Sequence, residues 1–158
     1  MVTRNIALVA HDSRKRELLE WAQYNLDVLK PHNLYATGTT GRLLESIEAE
    51  AEDGTITHPL AGHITRLLSG PTGGDQQIGA MIATGGIDVL IFFCDNLIVQ
   101  GHQTDVSALT RLASLYNVAF AENRTTADML VTSPLFTSDS YEMKKPDFSS
   151  YLNREIKK

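Results

Sequence analysis

The run Ile87-Asp88-Val89-Leu90-Ile91-Phe92-Phe93 restricts this chain to few folds. Its β-branched and aromatic residues follow one another without polar alternation, so the strand they predict is apolar on both faces and needs cover on both. Such a strand belongs near the centre of a parallel sheet. Asn5-Ile6-Ala7-Leu8-Val9-Ala10 predicts another of the same kind, and Leu34 to Thr37, His63 to Leu67 and Val118 to Ala121 predict shorter ones. Helical patterns lie between them. Ser13 through Leu29 carries Leu18, Leu19, Ala22, Leu26 and Leu29 at helical spacing. Thr39 or Thr40 is expected to cap a helix running through Ile47, and further helices are expected over Gly73 to Thr84, Thr104 to Tyr116 and Thr125 to Leu130. Glu48 to Thr57 reads as an exposed polar loop, and Pro146-Asp147 as the start of a last helix through Ile156. The alternation predicts an α/β fold: a single doubly wound, mostly parallel, Rossmann-like sheet with helices on both faces, forming one domain over residues 1–158. A chain of 158 residues can bury about two-thirds of its unfolded surface without staples.

Several classes fall away on composition. Cys94 is the only cysteine, which excludes an intrachain disulfide and any paired-cysteine zinc motif. No apolar run approaches membrane-spanning length, and Met1-Val2-Thr3-Arg4 leads straight into the first strand, so a soluble cytoplasmic protein with no membrane partner is expected. A formal net charge of −5 leaves no basic footprint for nucleic acid. The expected partner is a small metabolite.

In doubly wound sheets ligands bind beyond the carboxyl ends of the strands. There this chain places His11, Asp12, Ser13 and Lys15; Thr37, Gly38, Thr39 and Thr40; Ser69, Gly70 and Asp75; Asp95, His102 and Asp105; and Glu122. The stretch from Ser69 to Gly79 is a glycine-rich turn into a helix, where backbone N–H groups and the positive end of the helix dipole favour an anion. Thr37-Gly38-Thr39-Thr40 has the character of a phosphate cup, Ser69-Gly70 that of a second wall, and Lys15 adds a point charge. Asp75 is the odd member, because a carboxylate beside an anion cradle repels its ligand unless it takes a proton. Each has a plainer reading too. Asp75, Asp12, Asp105 and the threonines are all residue types that cap helices, and Lys15 suits a solvated face. Neither GxGxxG nor GxxxxGK occurs, which favours a small phosphate ester over a nucleotide.

Asp12, Asp75, Asp95 and Asp105 with His11 and His102 raise the question of a metal. No HxH or HExxH spacing is present, and a carboxylate cage around a phosphate gives His102 no task, so no metal is expected. A metal-free division of labour has one carboxylate as base, a neutral histidine donating to a developing enolate oxygen, and further aspartates orienting them.

Four runs, in order, resemble the methylglyoxal synthase family: Ala7-Leu8-Val9-Ala10-His11-Asp12 with Lys15; Tyr35-Ala36-Thr37-Gly38-Thr39-Thr40-Gly41; Leu68-Ser69-Gly70-Pro71 with Gly73-Gly74-Asp75-Gln76-Gln77; and Ile87 to Phe93. The resemblance spans almost the whole chain and implies that family's fold. It implies a lyase converting dihydroxyacetone phosphate to methylglyoxal and inorganic phosphate through an enediolate, without cofactor, in a cytoplasmic glycolytic bypass. It also implies a homo-oligomer, usually a hexamer, with phosphate as product and candidate inhibitor. By resemblance Asp75 is the proton-abstracting base; Lys15, Thr37, Gly38, Thr39, Thr40, Ser69 and Gly70 bind phosphate; and His11 and His102 contact substrate. Asp12, Asp95 and Asp105 fall on acidic positions that support the site, Asp12 and Asp105 with the catalytic group.

The chain departs from the family pattern in places. Asn96, Gly101 and Thr104 stand where prolines are common, Glu48 to Ala61 is longer than usual and is expected on the surface, and Arg154 is the candidate for a substrate-side arginine near the C-terminus. The alternative from another class is a non-catalytic, phosphate-effector-binding regulatory domain of the same fold. It would keep the cup and need no base.

Overall fold

The computed structural model describes residues 1–156. From the N-terminus run β1 (Asn5–Ala10), a 3-10 turn (Asp12–Arg14), α1 (Lys15–Tyr24), α2 (Leu26–Leu29), β2 (Asn33–Thr37) and α3 (Gly38–Glu45). There follow β3 (Ala49–Glu50), β4 (Ile56–Thr57), β5 (Ile64–Leu67), a second 3-10 turn (Gly70–Thr72), α4 (Gly74–Ala83) and β6 (Val89–Phe93). The chain continues through α5 (Gln103–Leu115), β7 (Ala119–Ala121), α6 (Arg124–Thr132) and α7 (Ser149–Leu152).

The main sheet has the order β5-β2-β1-β6-β7, with every neighbouring pair parallel. This is the predicted doubly wound α/β sheet. Strand residues alternate between its two faces. Ile6, Leu8, Val89, Ile91 and Phe93 join Leu18, Trp21, Leu29, Leu44 and Val131 in one core, under α1, α2, α3 and α6. Ala7, Val9, Leu90 and Phe92 join Ile78, Ile82, Val106 and Leu109 in the other, under α4 and α5. β6 is wholly buried and interior, beside β1 at the middle. The chain winds outward from β1 to β5 and then returns to β6, so the strand order reverses between β1 and β6. A crevice opens there at the carboxyl ends.

Four local expectations are corrected. The first helix is broken at Asn25, whose side-chain amide donates to the Trp21 carbonyl at 2.9 Å and competes with the helical ladder. Neither Thr39 nor Thr40 caps α3: the chain turns in at Thr37, φ −74°, ψ 138°, and both threonines fall inside the first turn. The polar loop is exposed but carries the antiparallel pair β3–β4, closed around Gly54 at φ +79°. The last helix is the single turn of α7, because Tyr151, Leu152 and Ile156 are exposed and gain no packing that would extend it.

Candidate active site

The crevice at the reversal point is a cleft of about 350 Å³. Its floor is the end of β1 and β6, with Val9 and Phe92 side by side in register. Its walls are the segments that leave the strand ends and enter helices. α3, α4 and α5 begin at this edge, so their unpaired first-turn N–H groups and positive dipole ends converge on it.

One wall carries the residues expected to form an anion cup. Thr37, Thr39 and Thr40 line it from the start of α3, Ser69 and Gly70 face them from the loop after β5, and Lys15 closes it from the start of α1. Gly38 is what lets the two loops meet. It has φ +33°, and a Cβ there would lie 2.8 Å from the Ser69 Cβ and 2.9 Å from its Cα. Gly38 therefore stands behind the cup as a spacer. The Lys15 ammonium is in contact with the Asp12 carboxylate, and this hydrogen bond holds the Asp12 carboxyl below its usual range. Asp12 is otherwise open to water at the cleft rim.

The opposite wall carries the titrating groups. Asp75, in the first turn of α4, is 2 % exposed. Its Oδ2 lies 2.7 Å from His102 Nδ1, and its Oδ1 is buried without a protein partner. A side chain on Gly70 would sit 2.9 Å from His102 Cε1 and 3.1 Å from Asp75 Oδ2, so glycine there keeps this pair open to the cleft. His11 follows β1 and is buried. Its Nδ1 accepts the backbone N–H of Asp95 at 2.8 Å, which leaves Nε2 as the protonated nitrogen, buried and unpartnered. Burial lowers the His11 pKa first and the neighbouring His102 ring, 5.8 Å away, lowers it further. His11 is thus a neutral N–H donor and Asp75 a free acceptor. Unpaired buried polar atoms of opposite character beside an anion cup are what a polar substrate would satisfy.

Asp95 does not line the cleft. It accepts from the Ser13 hydroxyl at 2.6 Å and from the Leu97 N–H at 3.0 Å, and the Ser13 bond chiefly holds its carboxyl below the usual range. The Leu97 bond lies in the loop that also carries Asn96 and Gly101. Asp105 lies apart from the cleft, in the first turn of α5 beside a largely apolar groove between α4 and α5 with Gln76, Ala80 and Leu112. Arg154 stacks on Tyr151 at 3.7 Å and donates to that residue's carbonyl, outside the cleft lining. Cys94 is pushed up to about 12 by burial and is a poor nucleophile. Among the described residues no cluster of His, Cys, Asp and Glu is fit to hold a metal, and no helix is long and apolar enough to cross a membrane.

The sequence reading missed Phe92, Pro71, Gln100 and Gly101 as lining residues, and Ser13 as the support of Asp95. Gln100 and Gly101 were signalled only by standing next to His102. Ser13 falls in the polar cluster after the first strand, but nothing local signals its partner, 82 residues away.

A family sequence model described as an MGS-like domain matches residues 17–121. The chain is 49% identical to methylglyoxal synthase of Maridesulfovibrio salexigens, the match covering 97% of this chain and 98% of that one. It is 47% identical to methylglyoxal synthase of Coxiella burnetii, over 99% of this chain and 100% of that one. The crystal structure of methylglyoxal synthase from Elizabethkingia anophelis NUHP1 superposes with a TM-score of 0.82 at 42% identity, covering 98% of this chain and 93% of that one.

Proposed function

The chain belongs to the methylglyoxal synthase family, and from that premise we propose how its own residues carry the reaction. It is a lyase that converts dihydroxyacetone phosphate to methylglyoxal and inorganic phosphate through an enediolate. The observation that carries the site assignment is the buried Asp75 with one oxygen held by His102 and the other unpartnered, at the edge of an anion cup.

The phosphate sits among Thr37, Thr39, Thr40, Ser69 and Gly70, over the start of α3 and against Lys15, which exchanges Asp12 for the ligand. Gly38 contributes by letting the walls close. With the ester so held, the hydroxyl-bearing carbon reaches Asp75 and the carbonyl oxygen reaches His11. Asp75 Oδ1 removes a proton from that carbon, and the electron pair moves into a new C=C bond as negative charge passes to the carbonyl oxygen. The His11 Nε2–H donates to that oxygen, and a neutral donor suits an enediolate because the proton is shared without being given up. An ionised Asp75 fixes the proton of His102 on Nδ1 and leaves Nε2 as an acceptor for the substrate hydroxyl proton. As that proton leaves, the aldehyde C=O forms, the C=C shifts and the ester C–O bond breaks with its electrons on phosphate. The remaining enolate takes at its terminal carbon one of the two protons now held by Asp75 and His102 and becomes methylglyoxal, and the other proton passes to the departing phosphate. Elimination needs the C–O bond held across the plane of the enediolate, so the cup's orientation, beyond its affinity, selects this product over isomerisation.

Asp95 supports His11 and Asp12 tunes Lys15. Asp105 acts on the far side of Asp75, as a neighbour in the α4–α5 groove. Phosphate, as the product, returns to the cup and inhibits. We propose a homohexamer, supported by the family resemblance and by apolar side chains left on the surface at Leu97, Ile98, Val99 and Leu152. A cytoplasmic role as a bypass of glycolysis follows from the substrate. A regulatory effector-binding domain would need the cup alone, and the Asp75–His102 pair favours the enzyme.

The test is phosphate release from dihydroxyacetone phosphate with methylglyoxal trapped as an adduct. Wild type makes both products, and Asp75→Asn binds phosphate but loses about a hundredfold or more in rate. A wild-type protein that binds phosphate esters and releases no methylglyoxal overturns the reading.

A further inference from the structure

We propose that Ser13 is a positioning residue for this reaction: through Asp95 it holds His11 in the tautomer that donates from Nε2 to the substrate carbonyl oxygen. The inference rests on the roles given above to His11 and Asp75. Ser13 stands in the 3-10 turn after β1, and its hydroxyl donates to Asp95 Oδ2 at 2.6 Å across the point where the strand order reverses. Asp95 is 6 % exposed, and its other carboxylate oxygen takes the Leu97 N–H at 3.0 Å. The backbone N–H of the same residue donates to His11 Nδ1 at 2.8 Å, while the His11 backbone N–H donates to the Phe93 carbonyl at 3.1 Å. Ser13 and His11 thus both hold Asp95 through their side chains, Ser13 at its carboxylate and His11 at its backbone N–H. A carboxylate anchored at both oxygens fixes the turn that aims the Asp95 N–H.

Without the Ser13 hydroxyl, one oxygen of a buried carboxylate has lost its donor, and the turn must loosen to let water replace it. Loosening draws the Asp95 N–H away from Nδ1. That nitrogen is then free to take a proton and the ring is free to rotate. The groups around His11 give the direction of the effect. Burial, His102 and Lys15 disfavour the imidazolium, whereas Asp75 and Asp95 favour it. A less neutralised Asp95 carboxylate and an unoccupied Nδ1 both raise the His11 pKa. The active, neutral form is then lost at higher pH as acid is added.

The experiment measures kcat and KM for dihydroxyacetone phosphate across about pH 5 to 9 in wild type, Ser13→Ala, Ser13→Thr and Asp75→Asn. Ser13→Ala is expected to lose about tenfold in kcat with KM changed less than about twofold, and the acid limb of kcat/KM moves up by about half a pH unit. Ser13→Thr, which keeps the hydroxyl, restores both. A uniform loss with no movement of the limb, or a loss that threonine does not restore, overturns the inference. If Asp75→Asn is inactive while Ser13→Ala matches wild type in rate and limb, this inference alone falls. If Asp75→Asn turns over like wild type, the site reading falls and takes the inference with it.

Discussion

Asp75 Oδ2 and His102 Nδ1 stand 2.7 Å apart, and the second Asp75 oxygen is buried without a partner. The histidine fixes which oxygen is left unpartnered, and in the proposed chemistry that oxygen faces the substrate while the other histidine nitrogen takes the hydroxyl proton. His102→Ala is therefore expected to lower kcat by about a hundredfold or more in the coupled assay of phosphate and methylglyoxal. A kcat within about threefold of wild type would leave the pair without a catalytic role.

Gly38 is wedged against Ser69 in a left-handed conformation, so Gly38→Ala forces the two walls of the cup apart. Strain of this kind costs roughly 1–3 kcal/mol, which lowers Tm by several degrees in a domain of this size. Phosphate inhibition should weaken by about tenfold or more, because the threonines and Ser69 no longer converge. Phosphate titration and thermal melting read the two effects separately.

Acid should destabilise the fold through two buried histidines. His11 and His32 both have pKa values lowered from the ordinary 6.5, by burial first, with His102 the next cause for His11 and Arg4 for His32. The unfolded chain takes these protons before the folded chain does, so stability is full above 6.5 and falls as the pH drops below it, by up to about 1.4 kcal/mol per pH unit for each group. His32 lies far from the cleft: its Nδ1 accepts the Arg4 backbone N–H at 3.1 Å, and its Nε2 is buried without a partner. His32→Asn keeps an acceptor for Arg4 and removes the titration, so chemical denaturation from about pH 7 to about pH 5 should show a flatter slope, with kcat unchanged.

The Cys94 thiol, pushed up to about 12, is almost wholly protonated at neutral pH. Iodoacetamide at about pH 7.5 is expected to modify it far more slowly than a free thiol and to leave activity intact. Rapid inactivation with mass-spectrometric labelling of Cys94 would show that the loop after β6 opens.

What the amino-acid order determined by itself was the local vocabulary. Asn5 to Ala10 and Val89 to Phe93 are buried strands because apolar runs have no other stable place, and their alternation with amphipathic helices left a parallel, two-faced sheet as the consistent solution. The rule that ligands gather at strand ends then singled out His11, Lys15, Thr37, Ser69, Asp75 and His102, and these six line one cleft. Side-chain direction was beyond its reach. Asn25 breaks a helix whose periodicity runs straight through it, because a short amide can satisfy a carbonyl as well as a backbone N–H does. Asp105 follows β6 at nearly the same depth as His102, yet the turn of α5 sends it to the α4–α5 groove. Of the contacts that aim the reactive atoms, Asp95 to His11 across 84 residues exists because β1 and β6 are neighbours, and Asp75 to His102 across 27 because the starts of α4 and α5 pack together. Periodicity records which face of an element is apolar, while distances between side chains on different elements depend on how those elements pack, and that was left to the tertiary structure.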